Sequence, residues 1–369
     1  MKLTIAKEDL IKPLQSVVAI ADKKHTMPIL NNLLIQVTEQ QIQIKASDLE
    51  TEIQVTVPLT MESEPGDITI PARKLMDIVR TLDNDAYIHI TADGPTRGRV
   101  TSGSSKFTLT LQDPKNFPAM DEDVSNAYFK MPLKDLINSI KRVQFAMANN
   151  DVRYFLNGML WEINEDQFRV VATDGHRMAL SDTTINNTYL DTKHMLIPRK
   201  AVNELLKISP SNFEDQEANI QFGMNHFRIS FEEYQFTSKL IDAHYPDYQR
   251  VIPKDNHKVL VADRLILKKS LTRTAILANE KYRGVRLQLD ADVMTLSANN
   301  PEHEEAMDQI EVNYQDQPME IGFNVNYLLD VLNVLDAEKV DLYLSDPTMS
   351  IIIKDETTNS RYIVMPIRL

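Results

Sequence analysis

The sequence predicts an α+β fold built from three tandem copies of one unit, each with two helices packed on antiparallel sheet. Three features of the 369 residues carry this reading. Matching segments recur at a fixed spacing. Apolar residues at helical spacing appear at two points in each period. Most of the remainder alternates apolar and polar, as in "QIQIKA" and "TEIQVTV", which suits half-buried antiparallel strands.

The spacing is 126 residues. Asp48 in "KASDLETEI", Asp174 in "VATDGHRMA" and Asn300 in "LSANNPEHEEA" form one column, and each follows an alternating run. Asn32, Gly158 and Gly284 form a second column, each opening a strand. Repeats of this kind point to a chain assembled from like units. The units span 1–125, 126–252 and 253–369, joined by the proline-bearing stretches "FPAMDEDVSNAYFKMPL" and "HYPDYQRVIPKDNHK".

A helix is expected ahead of the first full strand of each unit: "EDLIKPLQSVVAIA", "LKDLINSIKRVQFAMA" and "DRLILKKSLTRTAIL". Leu10, Leu14, Val17 and Val18 share one face of the first, and Leu136, Ile140 and Val143 share one face of the second. Pro13 is tolerated there only if that helix begins late, because an interior proline removes a hydrogen bond. Second helices are expected in "PARKLMDIVRTL", "PRKAVNELLKIS" and "FNVNYLLDVLNVL". Two of them have proline near the first turn, where a missing N–H costs little.

Composition narrows the function. With 43% apolar and 25% charged residues, the chain reads as a globular protein. No apolar stretch approaches the ~20 residues that span a bilayer, and "MKLTIAKEDL" has no signal-peptide apolar region. There are no cysteines, so disulfides, thiolate metal sites and cysteine nucleophiles are excluded, which fits a cytoplasmic setting. Phosphate-loop, dinucleotide-binding and zinc-protease signatures are missing, and His303-Glu304 has no second histidine at helical spacing. No metal and no cofactor are expected.

The net charge of −13 argues against a simple nucleic-acid binder, but the charge is unevenly spread. Five of the six helical stretches are basic, and only 324–339 is acidic; together they carry +8, which leaves −21 elsewhere. Cations gathered on helices within an acidic chain read as a phosphate-tracking, sequence-independent surface. The chain edges differ as well. Arg97, Arg99 and Lys106 lie on a strand-like run of the first unit, whereas Glu302, Glu304, Glu305 and Asp308 cluster in the third. Opposite edges invite head-to-tail association, which closes into a ring when the rotation permits.

Thr173, Asp174, His176 and Arg177 form a polar cluster after an apolar strand. Threonine as nucleophile and histidine as base would make it a catalytic site. The shared column favours a local role for Asp174, bonding backbone at a strand-end turn. His176 and Arg177 have no counterpart in the other units. An acidic scaffold that binds peptides and never DNA would explain them, but not the basic helices.

The blocks "DVRYFLNGML", "VATDGHRMAL", "FTSKLIDAHYPDY", "ILANEKYRGVRL", "ANNPEHEEA", "EIGFNVNYLLDVLNVL" and "YIVMPIRL" are similar, in order and along the whole chain, to the bacterial DNA polymerase III beta-subunit family, the sliding clamps. The resemblance implies three DNA-clamp domains per subunit and a head-to-tail dimer closed into a ring. Helices would line the hole, around duplex DNA, and there would be no active site. Implied partners are a second copy, the DNA polymerase III alpha subunit, an ATP-driven clamp loader, other DNA polymerases, and mismatch-repair and ligase proteins, through short glutamine- and leucine-bearing motifs. The implied location is the cytoplasm, at the nucleoid.

The resemblance adds Lys24, Asn150, Arg153 and Tyr154 to the helix residues Gln15, Arg73, Lys74, Arg80, Arg199 and Lys200 as DNA contacts. Phe155 stands where a second tyrosine is expected, which leaves it stacking or packing. The acidic last helix is expected to hold DNA little. At the dimer seam the resemblance sets Phe107 and Leu109 against Ile276 and Leu277, with Lys74, Arg97, Arg99 and Lys106 facing Glu302, Glu304 and Glu305. It also implies a peptide pocket. One wall is Leu156, Thr173, Gly175, His176, Arg177 and Met178, and Pro246, Arg250 and Val251 come from the linker. Asn324, Tyr327, Thr348, Ser350, Ile363, Val364, Met365, Pro366, Ile367, Arg368 and Leu369 complete it. An apolar chain end such as "YIVMPIRL" needs a partner surface in any case. His176 and Arg177 would read polar groups of the bound motif, and the Met178 thioether would adapt to varied side chains.

Overall fold

The computed structural model describes residues 1–21, 27–120, 128–185, 192–208, 215–355 and 357–368. Lys24 and Leu369 lie outside the described residues. The first repeat runs β1 (Lys2–Ala6), α1 (Lys7–Ala21), β2 (Asn32–Val37), β3 (Gln41–Ser47), β4 (Thr51–Pro58), β5 (Gly66–Pro71), α2 (Ala72–Thr81), β6 (Tyr87–Ala92), β7 (Arg97–Ser102) and β8 (Ser105–Thr110). The second follows the same order: β9 (Tyr128–Pro132), α3 (Leu133–Val143), β10 (Gly158–Asn164), β11 (Gln167–Thr173), β12 (Arg177–Thr184), β13 (Lys193–Pro198), α4 (Arg199–Ile208), β14 (Glu217–Phe222), β15 (His226–Phe231) and β16 (Tyr234–Lys239). So does the third: β17 (Lys258–Asp263), α5 (Arg264–Thr274), β18 (Gly284–Asp290), β19 (Val293–Asn299), β20 (Glu305–Glu311), β21 (Met319–Asn324), α6 (Val325–Val334), β22 (Lys339–Leu344), β23 (Ile351–Asp355) and β24 (Ser360–Val364).

The periodicities explain these elements. Leu10, Leu14 and Val17 of α1 are fully buried, as are Leu136, Ile140 and Val143 of α3. Val18 is only half-buried; Ile20 completes the buried stripe of α1 instead. Pro13 is interior after all, because α1 starts directly from β1 at Lys7, whose N–H donates to Ala86 O at 2.9 Å. Asn32, Gly158 and Gly284 open β2, β10 and β18, as the second column predicts.

The chain forms two compact units, and the central repeat contributes to both. Residues 1–136 with 200–240 make one, and residues 137–199 with 241–369 make the other. The first unit holds an eight-stranded sheet, β5-β2-β3-β4-β16-β15-β14-β9, and a four-stranded one, β1-β6-β7-β8. The second holds β13-β10-β11-β12-β24-β23-β22-β17 and β20-β19-β18-β21. Among the described residues, the strand pairings within these sheets are antiparallel, and each eight-stranded sheet joins strands of two repeats, at β4–β16 and at β12–β24. Among the described residues, no helix is long and apolar enough to cross a membrane.

Candidate functional site

The Asp48–Asp174–Asn300 column is a turn device. Asp48 Oδ1 accepts from the N–H groups of Glu50 and Thr51, at 3.1 and 2.8 Å. Asp174 Oδ1 accepts from those of His176 and Arg177, at 2.9 and 3.0 Å, and Asn300 Oδ1 from that of Glu304, at 3.0 Å. Thr173 Oγ1 donates to Arg177 O at 2.6 Å and accepts from Gly175 N–H at 3.0 Å. Gly175 sits at φ +88°, with the Arg153 guanidinium where a Cβ would point, so only glycine fits this turn well. The hydroxyl and carboxylate are therefore engaged with backbone, which removes the support for a nucleophile–base pair.

Arg177 is held from within. Its Nε donates to Asp174 Oδ2 at 3.1 Å, Nη1 to Asp330 Oδ2 at 2.5 Å and Nη2 to Phe145 O at 2.8 Å. Its guanidinium lies 5.1 Å from the Phe145 ring centre and 4.6 Å from that of Tyr327. His176 is exposed and stacks on Tyr327 at 6.3 Å. Burial, and then the Asp174 charge, push the Tyr327 hydroxyl above its usual range. Asp330 thus gives the acidic last helix an internal purpose, as counter-ion to Arg177. Asn324 caps α6 by accepting from Asn326 N–H at 3.0 Å.

Below this turn lies an apolar floor. Met178 pairs with Ile363 across β12–β24. Both belong to a buried cluster with Leu160, Val171, Leu180, Leu196, Tyr245, Tyr248 and Ile352, against which Phe155 packs. A cleft of about 250 Å³ opens there, lined by Leu160, Glu162, His194, Leu196 and residues 243–249, Pro246 included. The tail runs on from β24: Met365 N–H donates to His176 O at 3.0 Å, and Ile367 N–H to Gly322 O at 2.8 Å. Leu156 is buried, whereas Met365 is 46% and Val251 60% exposed, so both stay open to a ligand. Val364 is fully buried in β24, and Pro366 and Ile367 are half-buried. Arg250 pairs with Asp247 at 2.7 Å. Thr348 bonds Asp346, Ser350 O accepts from Asn256, and Arg368 lines a separate cavity with Tyr282, Arg286 and Met307. Sequence reading missed the wall of Leu160, Leu196, Tyr245 and Tyr248. The alternation in "GMLWEIN" and "KHMLIP", and the aromatics flanking Pro246, are the signals for it.

The expected DNA contacts divide into two sets. Gln15, Arg73, Lys74, Arg80, Asn150, Arg153 and Tyr154 are exposed. Arg153 pairs with Asp151 at 2.9 Å, and that contact holds the Asp151 carboxyl down at about 2. Arg199 and Lys200 are half-buried and engaged. Arg199 donates to Met147 O at 2.6 Å, and Lys200 lies 2.6 Å from Asp48 and 2.8 Å from Glu50. A lysine matched by two carboxylates adds little to a positive surface.

Of the residues expected at a dimer seam, Lys106, Phe107 and Leu109 lie on β8 and Glu305 on β20, each an end strand of a four-stranded sheet, and Lys74 lies on α2. Arg97 and Arg99 are on β7, next to β8, which carries Lys106, Phe107 and Leu109. Phe107 is half-buried and Leu109 buried. Arg99 pairs with Asp93 at 2.8 Å. Glu305 opens β20, Glu302 and Glu304 precede it, and Ile276, in the turn after α5, is 76% exposed with Leu277 beside it. Among the described residues, no group of three or more acidic or histidine side chains could hold a metal ion.

Three family models cover the chain: the N-terminal domain of the DNA polymerase III beta subunit over residues 1–121, the central domain over 130–247 and the C-terminal domain over 249–368. The beta sliding clamp of Pseudomonas putida KT2440 is 44% identical over 372 residues, covering all of both chains. That of Escherichia coli K12 is 43% identical over 370 residues, again covering all of both. Among solved structures, the Pseudomonas aeruginosa sliding clamp bound to griselimycin is 43% identical and superimposes over all of both chains with a TM-score of 0.96. The Bartonella birtlesii clamp bound to griselimycin is 32% identical, with a TM-score of 0.93 over all of both chains. With all three domains matched in order and relatives of this identity along its full length, the chain belongs to the DNA polymerase III beta-subunit family, the sliding clamps.

Proposed function

We propose that two copies of this chain join head to tail into a closed ring around duplex DNA. The ring holds the DNA polymerase III alpha subunit and other replication and repair proteins at the template, and catalyses nothing itself. It works in the cytoplasm at the nucleoid, and an ATP-driven clamp loader opens it.

One observation carries this reading: the two junctions within the chain repeat each other, and the halves of a third are left over. At β4–β16, Phe236 stands opposite Ile53; at β12–β24, Tyr362 stands opposite Ala179. Phe107 of β8 and Ala306 of β20 hold the equivalent places on the two free edges. Pairing β8 of one copy with β20 of the next makes a third eight-stranded sheet and covers those two edges. The packing beneath repeats too. Phe145 lies 6.0 Å from the Tyr362 ring, and Ile276 lies as far past the start of α5 as Phe145 does past that of α3. The basic strand edge at Arg97, Arg99 and Lys106 meets Glu302, Glu304 and Glu305 and fixes the orientation.

DNA is held by exposed helix cations, led by Arg73, Lys74 and Arg80, with Lys24, Asn150, Arg153 and Tyr154 at the rim. Arg199 and Lys200 shape the surface rather than supply charge. Partner motifs bind over Met178 and Ile363, between the linker and the tail. There Arg177 fixes the turn and Tyr327, and His176 and Met365 meet the ligand. Retention on a nicked circular plasmid after loading, with loss on linearisation, tests the encircling mode. Equal retention on linear DNA is the contrary result.

A further inference from the structure

The apolar floor has a charged border. Leu196, Leu160, Val171 and Leu180 lie opposite one another across β13, β10, β11 and β12. Two residues along each strand, on the side away from the tail, His194, Glu162, Arg169 and Asp182 form a second row in the same register. Asp182 is neutralised twice, by Arg169 Nε at 2.5 Å and Arg361 Nη2 at 3.1 Å. Glu162 is not. Its Oε2 accepts from the Tyr248 hydroxyl at 2.6 Å, and its Oε1 lies 3.6 Å from His194 Nε2. Arg169 donates to that same Tyr248 oxygen at 3.2 Å, so the hydroxyl is held from both sides and fixes the carboxylate. Both Glu162 and Asp247 line the 250 Å³ cleft, and among the described residues that line it there is no lysine or arginine.

A carboxylate that is 16% exposed, fixed at the end of an apolar floor and lacking a full cation, is built to receive one. In an extended peptide, side chains two positions apart lie on one face, ~6.6 Å apart. That matches the step from the Leu160 row to the Glu162 row. We propose that Glu162 is a specificity determinant of the cleft, selecting partner segments that carry lysine or arginine two positions from the apolar residue seated over Leu160 and Leu196. This rests on the peptide-pocket reading above. Tyr248 is the positioning residue that holds the acid in place.

The test uses the full-length protein and fluorescent peptides sharing one glutamine- and leucine-bearing core. One set carries lysine two positions from the apolar anchor, at either end, and the other carries norleucine there. The better lysine peptide should bind about fivefold tighter than its norleucine twin at low salt, and the advantage should shrink as salt rises. In Glu162→Gln the ratio should fall to about one. Glu162→Asp, which keeps the charge, should retain part of the preference. A salt-independent ratio near one in the unaltered protein overturns the proposal, as does an undiminished ratio in Glu162→Gln. If neither peptide binds at all, the pocket reading itself fails, and this proposal fails with it.

Discussion

Replacing Ile276 and Leu277 together by aspartate should give a folded monomer, and the structure sets the size of the effect. Ile276 is 76% exposed in the single chain and Leu277 is half-buried, so the substitutions disturb little of the subunit's own core. At a seam packed like the Phe145–Tyr362 junction, the same side chains become buried. Burying an isoleucine or leucine contributes roughly 1.5–3 kcal/mol, and a carboxylate put in its place must lose its hydration. A closed ring of two copies has two identical seams, so the cost counts twice. Even one lost side chain per seam then amounts to about 3–6 kcal/mol per dimer, or about 10²–10⁴ in the dissociation constant. Sedimentation across a dilution series reads the shift, and thermal melting compared with unaltered protein diluted to monomer checks the fold. A variant that stays dimeric at the same concentrations would refute both the seam and the symmetry argument behind it.

Four further outcomes are expected. Arg73→Ala and Lys74→Ala should each lower the salt dependence of duplex binding by ~0.9, alike for all sequences. Lys200→Ala should change it little, because Asp48 and Glu50 already match that charge; a full loss of slope there would show the lysine facing DNA. Deleting residues 365–369 should abolish peptide binding in a titration and leave a dimer of near-normal melting temperature, because the tail is tied by only two described backbone bonds, at His176 and Gly322. Arg177→Ala should lower thermal stability by roughly 3 kcal/mol, since it leaves Asp174 and Asp330 without their shared cation. It should also weaken peptide binding by loosening the Tyr327 platform.

The fold was legible because it is written in periodicities: the 126-residue column, the helical stripes and the alternating strands. The column fails in one turn. Ser47 pairs with Glu52 and Thr173 with Met178, but Asn299 pairs with Glu305. An extra residue in the "NNPEHE" turn shifts the pairing of β20 by one position. The site was less legible, because what a charged side chain does depends on neighbours far away in the chain. Arg177 read as a free recognition group, yet it is saturated by Asp330, 153 residues on. Lys200 read as a DNA cation, yet it is neutralised by Asp48 and Glu50, 150 residues back in the case of Glu50. Leu160 and Leu196 read as ordinary strand residues. Only the register that sets them side by side, under Tyr245 and Tyr248, makes them a wall.

The repeats also explain why one repeat, and not all three, offers an apolar pocket. The same four sheet positions recur in each. In the first repeat they are Leu34, Lys45, Gln54 and Thr69. There Lys45 is paired with Glu52 at 3.2 Å, and Leu34 is covered by Phe117. In the third they are Arg286, Ser297, Met307 and Gly322, with Arg286 paired to Glu320 at 3.2 Å. Only the second has an unbroken apolar row, Leu160, Val171, Leu180 and Leu196. An apolar side chain of a ligand gains by displacing water from the cleft over Leu160 and Leu196, behind which Val171 and Leu180 are fully buried, and loses on the others, where it would desolvate an ion pair. The backbone therefore repeats to build the scaffold, and recognition is confined to one place by four side chains. Replacing Leu196, which lines the cleft, by the first repeat's threonine should weaken peptide binding in a titration, while the proposed dimer through β8 and β20 persists.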